Sequence, residues 1–136
     1  MKAAEYGTKT NAATAFVSTN SICQGRQVAT LWPLIHGTGH EISFAHTSFK
    51  WANLASHNAG VTVAAVGINT HPPTLRKLFS VADDGSLMIR EASHINAYLT
   101  PGANVVVDAQ PATLGQLASM SFGSMANDGG HLLINV

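Results

Sequence analysis

At 136 residues, with 46% apolar and 10% charged side chains, the chain has the make-up of one folded domain and not of a disordered segment. Seven Lys and Arg balance seven Asp and Glu; a protein that grips phosphates unaided normally shows a basic face, so tight autonomous binding of DNA or RNA is not expected. One cysteine, Cys23, excludes an internal disulfide, and with no signal-like apolar core in Met1–Thr10 and no apolar run near the roughly 20 residues of a membrane helix, the sequence reads as cytoplasmic with no membrane partner.

Ala12–Val17 is a short apolar, β-leaning run that stops at Ser18-Thr19-Asn20-Ser21, residues that cap helices and make turns through side-chain to backbone hydrogen bonds. Gln24–His36 then sets Val28, Leu31, Trp32 and Ile35 at helical spacing, with Pro33 as a kink and Gly37 and Gly39 as the stop. Glu41–Thr47 alternates, with Ile42 and Phe44 as its apolar positions, and Val61–Ile68 is almost wholly apolar. The second of these strands should be central and the first nearer an edge. The pattern predicts an α/β fold: a partial Rossmann-like sheet, β-α-β-β, finished by a hairpin.

Past Asn69 the pattern changes. His71-Pro72-Pro73 interrupts it, Leu75–Phe79, Leu87–Ile89 and Val105–Val107 are short strand-like pieces, and Asp83-Asp84-Gly85, Pro101-Gly102 and Asn127-Asp128-Gly129-Gly130 are turns. This predicts a boundary near residues 70 to 74, with 1–70 an α/β unit and 71–136 an irregular, mostly β segment.

The loop between the two long strands, Ser48–Gly60, carries Phe49, Lys50, Trp51, Asn53 and Asn58. Aromatic rings held between rigid strands can stack on a planar ligand, and the amides can read its edge, so a nucleobase is a candidate. Phe49 and Trp51 stand two apart and share one side of an extended segment, with Lys50 facing the other way towards a phosphate or water. The plainer alternative is that one of the rings plugs the core beneath the loop.

Other chemistry is thinner. His36 and His40 have the spacing of a helical metal pair, but Gly37-Thr38-Gly39 between them ends the helix, and no metal site is expected. His46, His57, His71, His94 and His131 are scattered and read as surface or loop residues. Cys23, just before the helix, is a candidate nucleophile, although a lone cysteine is more often a small buried hydrophobe.

The order and spacing of Ala15-Phe16-Val17-Ser18-Thr19-Asn20-Ser21-Ile22-Cys23-Gln24-Gly25, Leu31-Trp32-Pro33, Ile42 to Asn53 and Asn58-Ala59-Gly60-Val61-Thr62-Val63 resemble the MmeI-like, type IIL restriction-modification group of class I S-adenosylmethionine-dependent DNA methyltransferases. The likeness continues through Ile95–Leu99 to Met120–Leu133, which resembles the start of that group's target-recognition region. It implies that residues 1–70 are the C-terminal part of the catalytic domain, Ala12–Val17 being the fifth strand and Glu41–Ile68 the sixth and seventh. Residues 71–136 would be a linker and the beginning of the target-recognition domain. It further implies that Phe49, Trp51, Asn53 and Asn58 lie where the extruded adenine sits, with Lys50 and Asn127, Asp128, Gly129, Gly130 and His131 near the DNA.

Two of the group's signatures do not occur in the sequence: the glycine-bearing cofactor loop and the Asn-Pro-Pro-aromatic motif, of which His71-Pro72-Pro73 is not a copy. The expected chain is therefore catalytically incomplete alone and binds no cofactor by itself, S-adenosylmethionine being the parent group's. Asp108-Ala109-Gln110-Pro111-Ala112 also lacks the basic residues the group carries there, and Ala126 replaces a usual proline, so DNA binding should be weak. A reading from a different class is an interaction module that forms a homodimer, or pairs with a separately encoded N-terminal half, through an exposed sheet edge.

Overall fold

The computed structural model describes residues 2–51 and 60–108. The chain opens with a helix, α1 (Lys2–Thr10), followed by β1 (Thr14–Thr19), a single 3₁₀ turn over Asn20–Cys23, α2 (Gly25–His36), β2 (Glu41–Lys50), β3 (Thr62–Asn69), β4 (Arg76–Val81) and β5 (Leu87–Ala92). The five strands form one sheet in the order β1-β3-β2-β4-β5.

β3 runs antiparallel to both β1 and β2, so β1 and β2 are parallel strands joined by α2, with β3 inserted between them. The expected β-α-β unit and closing hairpin are present. β2, however, is the middle strand and not near an edge, because β4 pairs with it in parallel through residues 44–46 and 77–79. The short pieces after residue 74 thus extend the same sheet, β4 and β5 forming an antiparallel hairpin across the turn at Asp83-Asp84-Gly85, where Gly85 takes φ +82°. Among the described residues Val105–Val107 joins no ladder; the Val107 N–H donates to the Tyr98 hydroxyl at 3.0 Å.

α2 lies on one face of the sheet. Val28, Trp32 and Ile35 pack against Ile42 and Ala45 of β2, Val66 and Ile68 of β3, and Leu78 of β4. Full burial of each large side chain is worth about 1.5–3 kcal/mol. Trp32, 2% exposed, also donates its indole N–H to the Ile22 carbonyl at 2.7 Å and so ties the helix to the preceding turn. Of the polar run Ser18–Ser21, Ser18 and Thr19 end β1 and Asn20 and Ser21 open that turn, and α2 has no side-chain cap; Thr19 and Ser21 bond each other instead.

α1 is not visible in the apolar pattern because its buried residues are the two smallest types, Ala4 and Gly7. A Cβ on Gly7 would stand 2.6 Å from His40 Nε2 and 2.9 Å from the Ala12 carbonyl oxygen, so the helix can sit this close only through a glycine. Arg76 fastens the other side of the sheet: it is buried, donates to the Ile42 carbonyl at 3.0 Å and pairs with Glu41, linking the first residues of β4 to those of β2.

Candidate nucleic-acid interface

β1, β2 and β4 point the same way, so their carboxyl ends lie along one edge of the sheet, where ligands of α/β proteins gather. Phe49, Lys50 and Trp51 stand at the carboxyl end of β2. Phe49 and Lys50 are strand residues, paired with Val63 and Thr62, and so are not part of the loop that the sequence predicts. Trp51 comes directly after them, its N–H donating to the Val61 carbonyl at 2.8 Å.

A pair of irregularities in β2 aims these side chains. Ile42 opposes Ile68 while Phe44 opposes Gly67, so one residue is looped out at Ser43, and a second irregularity lies between His46 and Phe49. The first sends Ile42 to the α2 face and Phe44 to the opposite face, although strict alternation would put both on one side. The second brings Phe49 onto the face of Phe44 and His46, with Trp51 two residues on.

The result is an aromatic row on the face away from α2. His46 meets Phe49 edge-on, with ring centres 4.6 Å apart and planes at 63°. It lies nearly parallel to Phe79 of β4 at 6.4 Å and 12°. Phe49 and Trp51 are 6.4 Å apart with planes at 46°. Sandwiching a base between parallel rings needs about 7 Å, two contacts of about 3.5 Å, and a 46° tilt does not provide that slot. One ring can stack while the other meets the base at its edge. Trp51 is 44% exposed and Phe49 half-buried, so Trp51 is the more available face. Lys50 is exposed and, by alternation, faces away from the rings.

Asn53 and Asn58, and Asn127, Asp128, Gly129, Gly130 and His131, lie outside the described residues. His46 is a correction to the sequence reading: it is a half-buried strand residue inside the aromatic row, not a surface or loop residue. Spacing singles out neither His46 nor Phe79, since their contact depends on the β2–β4 pairing.

The two remaining candidates are structural. Cys23 is 5% exposed, its thiol donates to the Asn20 carbonyl at 3.0 Å, and burial pushes its pKa up, the reverse of what a nucleophile needs. His36 and His40 close the end of α2. His36 Nδ1–H donates to the His40 carbonyl at 3.0 Å. The Thr38 hydroxyl gives its proton to the Ile35 carbonyl, so it accepts from His40 Nδ1–H at 2.9 Å. Among the described residues no three His, Cys, Asp or Glu side chains converge as a metal site would need. None of their helices is long and apolar enough to cross a membrane.

A parallel β-α-β unit whose two strands are separated by an antiparallel closing strand, with aromatic residues at its carboxyl edge, places the chain among methyltransferase-type α/β proteins. The family model described as MmeI, DNA-methyltransferase domain, matches residues 1–80, and the chain belongs to that family. DNA methyltransferase A of Bacillus subtilis (strain 168) is 42% identical over 133 residues, which is 98% of this chain and 15% of that protein. The solved structure of the type IIL restriction-modification enzyme MmeI in complex with DNA matches with a TM-score of 0.88 and 36% identity, over 95% of this chain and 18% of that one. The chain therefore spans less than a fifth of the length of either relative.

Proposed function

We propose that the chain forms the closing part of the catalytic domain of a DNA adenine-N6 methyltransferase of a restriction-modification system, followed by the start of its target-recognition region. The observation that carries this reading is that Phe49 and Trp51 stand at the carboxyl edge of a sheet whose fold matches that of MmeI with a TM-score of 0.88. Trp51 stacks on the extruded adenine, Phe49 borders it, and Asn53 and Asn58 are its neighbours. Lys50 meets a backbone phosphate, and Asn127, Asp128, Gly129, Gly130 and His131 approach the DNA. The zero formal charge makes that contact weak when the chain is alone.

S-adenosylmethionine is the methyl donor of the parent reaction, and the described residues do not supply its cradle. Backbone of a glycine-bearing loop and an acidic side chain are what typically hold an adenosine-containing cofactor in such sheets. At the carboxyl edge described here, β1 runs into Asn20-Ser21 and β2 into Trp51, which offer neither, while β4 runs into the Asp83-Asp84-Gly85 hairpin turn, whose Gly85 N–H is bonded to the Ala82 carbonyl at 2.9 Å and whose Asp84 carboxylate accepts the Ser86 N–H at 2.9 Å. The chain alone therefore neither binds the cofactor nor methylates. The test is calorimetric titration of S-adenosylmethionine together with transfer of a labelled methyl group to adenine-containing DNA. Background incorporation is expected, and robust methylation by the purified chain would refute the incompleteness.

A second reading has its own observation. β1 is the outer strand, its sequence Thr14–Thr19 carries no charge or proline to blunt pairing, and Phe16 and Val17 are 46% and 54% exposed. Beside it a cleft of about 260 Å³ is floored by Ile22, Leu31, Trp32, Val66 and Ile68. This edge suits an added strand, from a separately encoded methyltransferase half or from a second copy. Light-scattering mass across a concentration series tests the self-pairing form, and a monomer at high concentration argues against it.

A further inference from the structure

We propose that His46 is the positioning residue for the base-contacting pair, a step that rests on the base-contact reading of Phe49 and Trp51. Three contacts converge on this one imidazole. Its Nδ1–H donates to the Thr47 carbonyl at 2.8 Å, within the irregularity that turns Phe49 onto this face. It forms an edge-to-face pair with the Phe49 ring, with ring centres 4.6 Å apart. Its plane lies along Phe79, the residue directly opposite it on β4.

These contacts form a relay of rings from the sheet to its carboxyl edge. Phe79 is fixed on β4, His46 is braced against it, Phe49 and His46 meet edge-to-face, and Trp51 is the next ring at 6.4 Å. A carbonyl oxygen can only accept, so the proton of a neutral His46 is on Nδ1, which fixes the tautomer and with it the ring's orientation. The edge-on approach to Phe49 uses the opposed charge of ring edge and ring face, an attraction that an aliphatic wall would not supply. His46 itself is one ring removed from Trp51 and acts on a base only through Phe49.

The test uses the full chain labelled with 5-fluorotryptophan, which gives one fluorine signal for Trp32 and one for Trp51, assigned with Trp51→Phe. A short oligodeoxyadenylate is titrated into wild type, His46→Ala and His46→Phe, below the unfolding temperature of each. The expected result is that wild type shows a ring-current shift of the Trp51 signal on binding. In His46→Ala the free-state Trp51 signal is displaced and affinity falls about three- to ten-fold, the range of an aromatic pair. His46→Phe keeps the ring contacts and recovers most of that loss. A purely structural role would lower the unfolding temperature of His46→Ala while leaving the folded protein's Trp51 signal and affinity at wild-type values, and that outcome overturns the proposal with the base-contact reading intact. A wild-type Trp51 signal that ignores the oligonucleotide overturns both.

Discussion

Gly67 and Phe44 offer the sharpest check on how β2 is built. A Cβ on Gly67 would overlap ring carbons of Phe44 and stand 2.9 Å from its Cζ, because the ring lies flat across the glycine on the face away from α2. Gly67→Ala therefore forces the ring off its seat. Phe44 is 38% exposed, so it forfeits only part of the roughly 1.5–3 kcal/mol of full phenylalanine burial, about 1–2 kcal/mol. Alanine recovers about 0.5–1 kcal/mol of the backbone entropy that glycine loses in a strand. The net cost of Gly67→Ala should be close to 1 kcal/mol. Phe44→Ala removes the same ring contact and costs about 1–2 kcal/mol. In the Phe44→Ala background the clash is gone, so Gly67→Ala becomes neutral or stabilising, and the cycle gives a coupling of roughly 2 kcal/mol. Urea unfolding followed by tryptophan fluorescence measures it, with an unchanged m value confirming that stability alone has moved. Equal destabilisation by Gly67→Ala in both backgrounds, within about 0.5 kcal/mol, would show that the ring does not cover Gly67 and that β2 pairs with β3 in another register.

Trp32→Phe removes the donor to the Ile22 carbonyl and leaves that acceptor short of a partner in a site that is 2% exposed. It should cost about 2–4 kcal/mol and lower the thermal midpoint by about 10 °C in a circular-dichroism melt; an unchanged midpoint would mean the indole bond is not made. For Cys23, burial raises the thiol pKa in the folded state, so the unfolded chain releases the proton first. Its contribution to stability is complete below the ordinary thiol range and declines as pH rises through it, and Cys23→Ala should flatten the alkaline limb of the stability profile. Alkylation by iodoacetamide at mildly alkaline pH should be far slower in the native protein than in a denatured control, and equal rates would contradict the buried thiol. Asp84 runs the opposite way: the Ser86 hydroxyl and, at 2.9 Å, the Ser86 N–H both donate to its carboxylate across the β4–β5 turn, which holds its pKa below the usual carboxylate range. That support is present above the ordinary carboxylate pKa and fades as pH falls, so the difference between wild type and Asp84→Ala should close on acidification; a gap that persists at low pH would refute it.

Much of the fold is written in short-range patterns. Val28, Trp32 and Ile35 recur at helical spacing and bury one side of α2, and the unbroken apolar run of β3 marks a strand covered on both sides. α1 escapes such a reading because periodicity is read from large apolar residues, and this helix docks through Ala4 and Gly7. The central place of β2 escapes it for a different reason. Its neighbour β4 arrives from beyond the prolines at positions 72 and 73, and a parallel partner leaves no turn signal beside it.

The site is legible as composition and not as geometry. Phe49, Lys50 and Trp51 stand out by residue type, and their mutual alternation comes from the period of a strand. Their face does not, because each irregularity in β2 reverses the parity of every later residue in the strand, and nothing in Ser43 or Thr47-Ser48 announces an extra residue. Counted without irregularities, Ile42, Phe44 and His46 would share the α2 face and Phe49 would lie opposite. With both, Ile42 fills the core at 0% exposure, while Phe44, His46 and Phe49 line the other face with Phe79. Two single-residue insertions in one strand thus separate the side chains that stabilise the sheet from those that make a stacking surface, and the second sits beside the ring that leads to Trp51.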